Sequence, residues 1–300
     1  MRAIILAAGM GTRLRPITDK KPKSLVEVAG EAMTERQVRF LKDKGINDII
    51  VVVGYQKDAF DYLVDKYGVE LVFNEKFDTY NNIYSMYKVR DLLPGSYVLE
   101  GDIYMNNNII DTSVTRSTYF SCYKEGFINE WKLVVDDKGR VKAIDICDGD
   151  GYIMCGVSYW DHKDGQYIKE RLDNIEEIED YQNKYWDDVV RDNMDKLNVT
   201  IKKLEKNDLM EIDNVNIYKI IIFAAIAIIA IASILIYVSN HNLEKEKQNA
   251  ERIKKEAAEL ENKEKEKQEQ EQKNNQNNQE NQGNNQPVET RTISRRTTSN

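Results

Sequence analysis

The run Ile4-Ile5-Leu6-Ala7-Ala8-Gly9-Met10-Gly11-Thr12-Arg13-Leu14-Arg15-Pro16 constrains this chain more than any other stretch. A short β-branched run ending in small residues is the pattern of a buried strand. The Gly9-Met10-Gly11 turn behind it lets backbone N–H groups approach a phosphate chain where a Cβ would clash. Arg13 then offers a planar fork to phosphate oxygens, and Lys23, within Lys21-Pro22-Lys23-Ser24-Leu25, offers a point charge on a flexible stem. Pro16 and Pro22 bound the segment between them. A dinucleotide fingerprint would need a glycine where Leu14 stands, a Walker loop would need Gly-Lys-Ser/Thr, and a signal peptide would need a longer apolar run than Ala3 to Ala8.

Strand and helix patterns alternate after this loop. Thr34 to Lys44 is an amphipathic helix stopped by Gly45, Asp48 to Val53 a buried strand, Ala59 to Tyr67 a helix ending at Gly68, and Val69 to Phe73 another strand. Tyr80 to Leu93 reads as helix and Tyr97 to Asp102 as strand. Ser117 to Val135 and Val141 to Ile146 read as antiparallel strands, Gly156 to Trp160 as a return to the main sheet, Trp160 to Gly165 as a loop holding His162, and Val199 to Leu204 as a last strand. The pattern predicts an open, mostly parallel, doubly wound (Rossmann-like) α/β sheet with ligands at the carboxyl ends of its strands, where Gly9, Gly54, Asn74 and Asp102 fall. An acid such as Asp102 at a strand end can hold a metal; it can equally be a loop or cap acid.

The net charge of −8 is concentrated in the first 217 residues, where 39 Asp and Glu face 30 Lys and Arg. That balance argues against a nucleic-acid binder, which needs a basic face. Three cysteines, Cys122, Cys147 and Cys155, match no zinc spacing and read as reduced packing residues. Two histidines, neither near a Ser or Cys motif, exclude a histidine-based hydrolytic triad.

The pattern Leu-Ala-Ala-Gly-x-Gly-x-Arg-Leu-x-Pro-x-Thr…Pro-Lys-x-Leu resembles the signature of nucleotidyltransferases that make activated sugars and alcohols. More narrowly, residues 1–217 resemble bacterial CTP:phosphocholine cytidylyltransferases, through Gly54-Tyr55, Asn74-Glu75, Tyr80-Asn81-Asn82-Ile83-Tyr84-Ser85, Asn129-Glu130-Trp131, Tyr185-Trp186-Asp187 and Glu211-Ile212-Asp213-Asn214. The resemblance implies transfer of CMP from CTP to phosphocholine, giving CDP-choline and pyrophosphate for choline decoration of cell-surface glycans or lipids. It implies Arg13 and Lys23 as catalytic residues and Asp102 and Asp213 as ligands of Mg²⁺. Nucleotide contacts fall on Leu6, Ala7, Ala8, Gly9, Met10, Gly11, Thr12, Gly54, Asn82 and Ser85. A choline pocket falls on Trp131, Tyr185 and Glu211, then Glu130 and Asp187, since a quaternary ammonium has no N–H and is held by ring faces and a carboxylate. Trp131 and Tyr185 can also be core aromatics. The same reaction on phosphoethanolamine or 2-aminoethylphosphonate, a sugar-1-phosphate nucleotidyltransferase, and an inactive membrane scaffold are the alternatives.

The relatives in that resemblance have no counterpart of residues 218–300. Residues 220–238 carry no charge and at roughly 1.5 Å per residue would span about 28 Å, the thickness of a bilayer core. This predicts a transmembrane helix over 218–238 and a single-pass membrane protein with the lipid bilayer as partner. The catalytic domain is placed in the cytoplasm, where CTP is and where unpaired cysteines stay reduced, with the tail on the opposite side. Residues 239–272 read as a charged helix with Glu251/Lys255, Glu259/Lys263 and Glu261/Lys265 at i,i+4. Its short apolar seam, Leu243, Ala250, Ile253, Ala257 and Leu260, leaves a weak coiled coil and self-association open. Residues 273–300 are Asn/Gln-rich and read as disordered.

Overall fold

Buried β-branched runs, each followed by an amphipathic segment, set the architecture. The computed structural model describes the backbone of residues 1–212 and 215–282, with side chains described for 1–212, 229–271 and 273. In chain order the elements are β1 (Arg2–Ala7), β2 (Glu27–Val28), β3 (Glu31–Ala32), α1 (Met33–Asp43), β4 (Asp48–Val53), α2 (Asp61–Tyr67), β5 (Glu70–Phe73) and α3 (Asn82–Val89). They continue with β6 (Ser96–Glu100), β7 (Ile103–Met105), β8 (Thr118–Val135), β9 (Val141–Trp160), α4 (His162–Asp173), α5 (Trp186–Arg191), β10 (Thr200–Leu204), β11 (Leu209–Glu211) and α6 (Val215–Gln282).

Seven strands form one sheet in the order β10-β8-β9-β6-β1-β4-β5. β6, β1, β4 and β5 are parallel neighbours, β9 runs antiparallel to β6 and β8, and β10 is parallel to β8. The sheet is therefore mostly parallel and Rossmann-like, as the alternating pattern predicts. The register pairs Ala7 with Val53, Leu6 with Glu100 and Val53 with Phe73, so β1, β4, β5 and β6 end on one rim. From β1 the chain winds outward to β4 and β5 and then returns through α3 to β6 on the other side of β1. The crevice between the ends of β1 and β6 is thus the topological switch point, the place where such sheets bind ligands.

Alternation along the strands sends successive side chains to opposite faces. Ile5, Val51 and Leu99 pack under Leu41 and Phe60 on one face; Ile4, Val52 and Val98 pack with Met86, Trp160 and Trp186 on the other. The antiparallel pair β8–β9 leaves the sheet as a long hairpin. The small antiparallel pair β7–β11 sets Glu211 opposite Ile103, and the Ile212 N–H donates to the Asp102 carbonyl over 3.3 Å.

Trp160 to Gly165 is not a loop. Asp161 caps α4 by accepting from the N–H groups of Lys163 and Asp164, each at 2.9 Å, so the helix begins at His162. A capping acid between a strand and a glycine-containing segment starts a helix earlier than hydrophobic periodicity alone indicates.

Two compact units are distinguished, Met1–Ile226 and Ala227–Asn300. Among the described residues no helix is long and apolar enough to cross a membrane. This overturns the expectation of a single-pass membrane protein with its domains on opposite sides. The apolar stretch with described side chains runs only from Ile229 to Val238, about 15 Å of helix at roughly 1.5 Å per residue and half a bilayer core. The remainder of the 220–238 stretch has side chains outside the described residues. Further along α6, Leu243, Ile253 and Leu260 remain exposed, and a coiled coil or self-association gains no support. Of the i,i+4 pairs, Lys265–Glu261 closes at 2.8 Å and Arg252–Glu256 at 3.3 Å. The helix continues to Gln282, through the first ten residues of the 273–300 stretch expected to be disordered, and residues 283–300 lie outside those described.

Candidate active site

The loop after β1 is held by contacts that only glycine permits. Gly11 has φ +59°, and a Cβ there would lie 2.5 Å from Cβ of Lys23. Its carbonyl accepts from the Leu14 N–H at 3.0 Å and from the Thr18 hydroxyl at 2.9 Å, which turns Thr12–Leu14 into a short 3₁₀ helix carrying Arg13. Gly54, at the end of β4, presses on the same loop from behind. A Cβ on Gly54 would stand 2.7 Å from the Ala8 carbonyl oxygen and 2.5 Å from Cβ of Phe77. The Tyr55 N–H donates to that Ala8 carbonyl at 3.1 Å.

A cleft of about 310 Å³ opens over the switch point. Leu6, Ala7, Ala8, Gly9, Gly11, Thr12 and Arg13 form one wall, Lys23 and Asp102 lie in it, and Asn82, Ser85 and Tyr185 close the opposite side. Lys23, nearly buried, places Nζ 2.5 Å from Oδ2 of Asp102. Of the residues expected at the nucleotide, Met10 and Gly54 do not line the cleft; Gly54 supports the loop instead.

The far wall is a hydrogen-bonded frame. Asn81 caps α3 by accepting from the Asn82 N–H at 2.8 Å, and buried Asn74 donates to the Ser85 hydroxyl at 2.8 Å. The Asn82 amide accepts from the Trp186 N–H at 2.9 Å and donates to Oε1 of Glu100 at 3.3 Å. The Trp186 indole N–H reaches the same Oε1 at 3.2 Å. Burial, followed by the charges of Asp102 and Asp187, pushes the Glu100 carboxyl well above the usual carboxylate range. Asn74 lines the cleft, in keeping with its place at a strand end, and Glu100, Phe77, Tyr80, Asn81 and Ser24 line it without having been assigned a role from the sequence. Glu100 carried a signal: a carboxylate closing an otherwise apolar strand is an unusual burial.

Trp131 and Tyr185, 54 residues apart in sequence, meet edge to face at 6.0 Å and 84°. The Arg191 guanidinium lies 5.2 Å over the Trp131 ring. The three acids expected beside them are dispersed. Glu130 pairs with Lys124 at 2.5 Å and, with Glu211, lines a separate cavity of about 690 Å³ between the hairpin and β7–β11. Asp187 sits beneath the cleft and accepts from the Tyr119 hydroxyl at 2.9 Å. Burial raises its pKa to about 7. Cys122, Cys147 and Cys155 are free thiols. Among the described residues no group of three His, Cys, Asp or Glu could hold a metal, and Asp213 lies outside the described residues.

Residues 2–116 match the Nucleotidyl transferase family. The chain is 48% identical over 219 residues to the choline-phosphate cytidylyltransferase of Streptococcus pneumoniae, covering 73% of this chain and 96% of that one. It is 35% identical over 220 residues to the enzyme of that name from Haemophilus influenzae, with 73% and 94% covered. A 2-aminoethylphosphonate cytidylyltransferase of Lancefieldella rimae is 34% identical over 217 residues, with 71% and 88% covered. Among solved structures, the CTP:phosphocholine cytidylyltransferase of Streptococcus pneumoniae superposes with a TM-score of 0.71, covering 73% of this chain and 96% of that chain at 48% identity.

Proposed function

The chain belongs to the bacterial choline-phosphate cytidylyltransferases, and from that premise we propose how its cleft transfers CMP from CTP to phosphocholine. The reaction gives CDP-choline and pyrophosphate. A phosphocholine oxygen forms a bond to the α-phosphorus of CTP, and the bond from that phosphorus to the β-phosphate oxygen breaks. A phosphomonoester has its second pKa at about 6, so the nucleophile arrives ionised and no side chain has to remove a proton. What remains is to neutralise the departing charge, polarise the α-phosphate and bring two anions together.

The backbone N–H groups from Gly9 to Gly11 and the Arg13 guanidinium are assigned to the β- and γ-phosphates. Lys23 is assigned to the α-phosphate, where charge grows as the transition state forms. Leu6, Ala7, Ala8, Thr12, Asn82 and Ser85 complete the nucleotide side of the cleft. Tyr185, which lines the cleft, and Trp131, which meets it edge to face, are assigned to the trimethylammonium group.

Asp102 and Asp213 are assigned to a Mg²⁺. Mg²⁺ in phosphoryl-transfer sites is held by one or two carboxylates together with substrate phosphates, and Asp102 in the cleft suits that donor set. The Ile212 N–H bonded to the Asp102 carbonyl ties the chain segment next to Asp213 to the same strand end. Bound there, the ion would supply positive charge to the phosphates.

The observation that carries this reading is the pairing of Lys23 with Asp102 inside the cleft beside the Gly9–Gly11 loop. Pyrophosphate release with CTP and Mg²⁺ tests it across phosphocholine, phosphoethanolamine, 2-aminoethylphosphonate and a sugar 1-phosphate. Phosphocholine is expected to give the largest kcat/KM; preference for either amine would reassign the head group, and preference for the sugar phosphate would reject the reading.

A further inference from the structure

We propose that Gln37 of α1 is a positioning residue that sets the place of Asp102, an inference resting on the role given to Asp102 above. Gln37 is fully buried and does not line the cleft. Its amide nitrogen donates to the Glu100 carbonyl at 2.9 Å and to the Ile103 carbonyl at 2.7 Å. The two bonds therefore bracket Gly101 and Asp102, the turn that joins β6 to β7. Both partners are carbonyl oxygens, so the amide must present its nitrogen to them. Its Oε1 is buried and has no partner among the described residues. An unpaired buried acceptor costs free energy that a methionine or leucine here would not. Packing alone therefore does not account for a glutamine at this position, whereas two donated bonds on either side of Asp102 do.

The rest of α1 acts in the same direction. Thr34, three residues earlier and so on the same face, is also fully buried, and its hydroxyl donates to the Gly101 carbonyl over 3.4 Å. Arg36 donates to the carbonyls of Met105 and Asn106. The turn needs such a brace because the pairing of β6 with β1 stops at Glu100, opposite Leu6. On its other side the turn is pressed close. The Gly101 N–H donates to the Leu6 carbonyl at 2.9 Å, and a Cβ on Gly101 would stand 3.0 Å from Cβ of Ala7 and 3.0 Å from Cβ of Ser24. Ser24 adjoins Lys23, whose Nζ meets the Asp102 carboxylate. A shift of the turn is thus a shift of Asp102 against Lys23 and the phosphates, and a misplacement of about 1 Å can cost about a hundredfold in rate.

The test uses the full chain and Gln37→Met, which keeps the length of the side chain and removes both donors. In the folded variant kcat should fall about tenfold or more, with KM for CTP and for phosphocholine each changed less than about threefold. Uptake of Mn²⁺ in the presence of CTP, followed by the paramagnetic resonance of the free ion, should weaken about tenfold. Thr34→Val should move both readouts the same way by a smaller factor, and it carries the test if Gln37→Met fails to fold. A lowered Tm with kcat and Mn²⁺ uptake unchanged would make Gln37 a packing residue and overturn the proposal, as would raised KM values at unchanged kcat. If wild-type enzyme takes up Mn²⁺ with CTP but turns over no phosphocholine, the reaction given above falls while weaker uptake by the variant still supports the positioning role. Absence of both turnover and uptake in the wild type would overturn both.

Discussion

Lys23 and Asp102 are 79 residues apart in the chain, and their charged atoms lie 2.5 Å apart in the cleft. The lysine follows Pro22 on a 3₁₀ turn packed against Gly11, and the aspartate lies two residues beyond the end of β6, so the pair joins the phosphate loop to the neighbouring strand end. A nearly buried ammonium beside a carboxylate is stable as a pair and costly as a single charge. Each residue therefore holds the other in place before substrate arrives.

Lys23→Ala is expected to lower kcat by about 10²–10³ while changing KM for CTP by less than roughly threefold, because the charge acts mainly on the α-phosphate as the transition state forms. Lys23→Arg is not expected to rescue, since a planar fork does not replace the compact ammonium that pairs with Asp102 in the cleft. Steady-state kinetics over a CTP series check this. A raised KM with unchanged kcat would make Lys23 a ground-state contact.

Gly54→Ala is expected to act at a distance. The added methyl would stand 2.5 Å from Phe77 Cβ and 2.7 Å from the Ala8 carbonyl oxygen, so loop and strand must separate. Overpacking of this kind costs about 1–3 kcal/mol. Thermal unfolding should show a lowered Tm, and KM for CTP should rise more than KM for phosphocholine. An unchanged Tm would mean that Phe77 moves aside freely.

Trp131→Ala should raise KM for phosphocholine about tenfold, as expected for losing a cation–π contact of about 1–2 kcal/mol, with little change in KM for CTP. Arg191, which lies over the Trp131 ring, separates this from a packing effect. Arg191→Ala should lower KM for phosphocholine if the guanidinium competes for the ring face, and raise both KM values if it only props the indole. Equal effects of Trp131→Ala on both substrates would return Trp131 to the core.

The parallel part of the sheet was legible because Ile4–Leu6 and Ile50–Val53 are β-branched runs bounded by small residues, and burial on both faces demands that pattern. The phosphate wall was legible for the same local reason, since Gly11 and Lys23 act within one short segment. The opposite wall was legible only in part, through Asn82, Ser85 and Tyr185, and its hydrogen-bonded frame was not. Glu100, Asn82 and Trp186 come from β6, α3 and α5, and their meeting is set by the packing of helices on the sheet, which no local spacing encodes. Asp187 illustrates the same limit: its place in the Tyr185-Trp186-Asp187 run implies a position in the choline pocket, yet two residues beyond Tyr185, in the first turn of α5, its side chain meets Tyr119 instead. The apolar 220–238 stretch was measured by length and hydropathy alone, and the described part of it falls short of a span.

Asp187 also gives the fold a pH dependence. Burial lifts its pKa to about 7, opposed by the Tyr119 hydroxyl, which favours the ionised form, and assisted by the charge of Asp188. An unfolded aspartate titrates near 3.9. Between roughly pH 4 and pH 7 the native state therefore retains a proton that the unfolded chain has released, and raising the pH pulls the equilibrium toward unfolding. The contribution is fully present below the unfolded pKa and is lost as pH rises through about 7. A shift of about three units sets a ceiling of ~4 kcal/mol. Asp187→Asn keeps an acceptor for Tyr119 and cannot ionise, so its stability should fall less than that of the wild type between pH 5 and pH 8. Chemical denaturation at the two pH values measures this, with an expected gain for the variant of about 1–3 kcal/mol at pH 8 relative to pH 5, since only the part of the window between pH 5 and about 7 is sampled. A constant difference between variant and wild type across that range would show that Asp187 is ionised in the native state throughout, and that the Tyr119 hydroxyl fully offsets its burial.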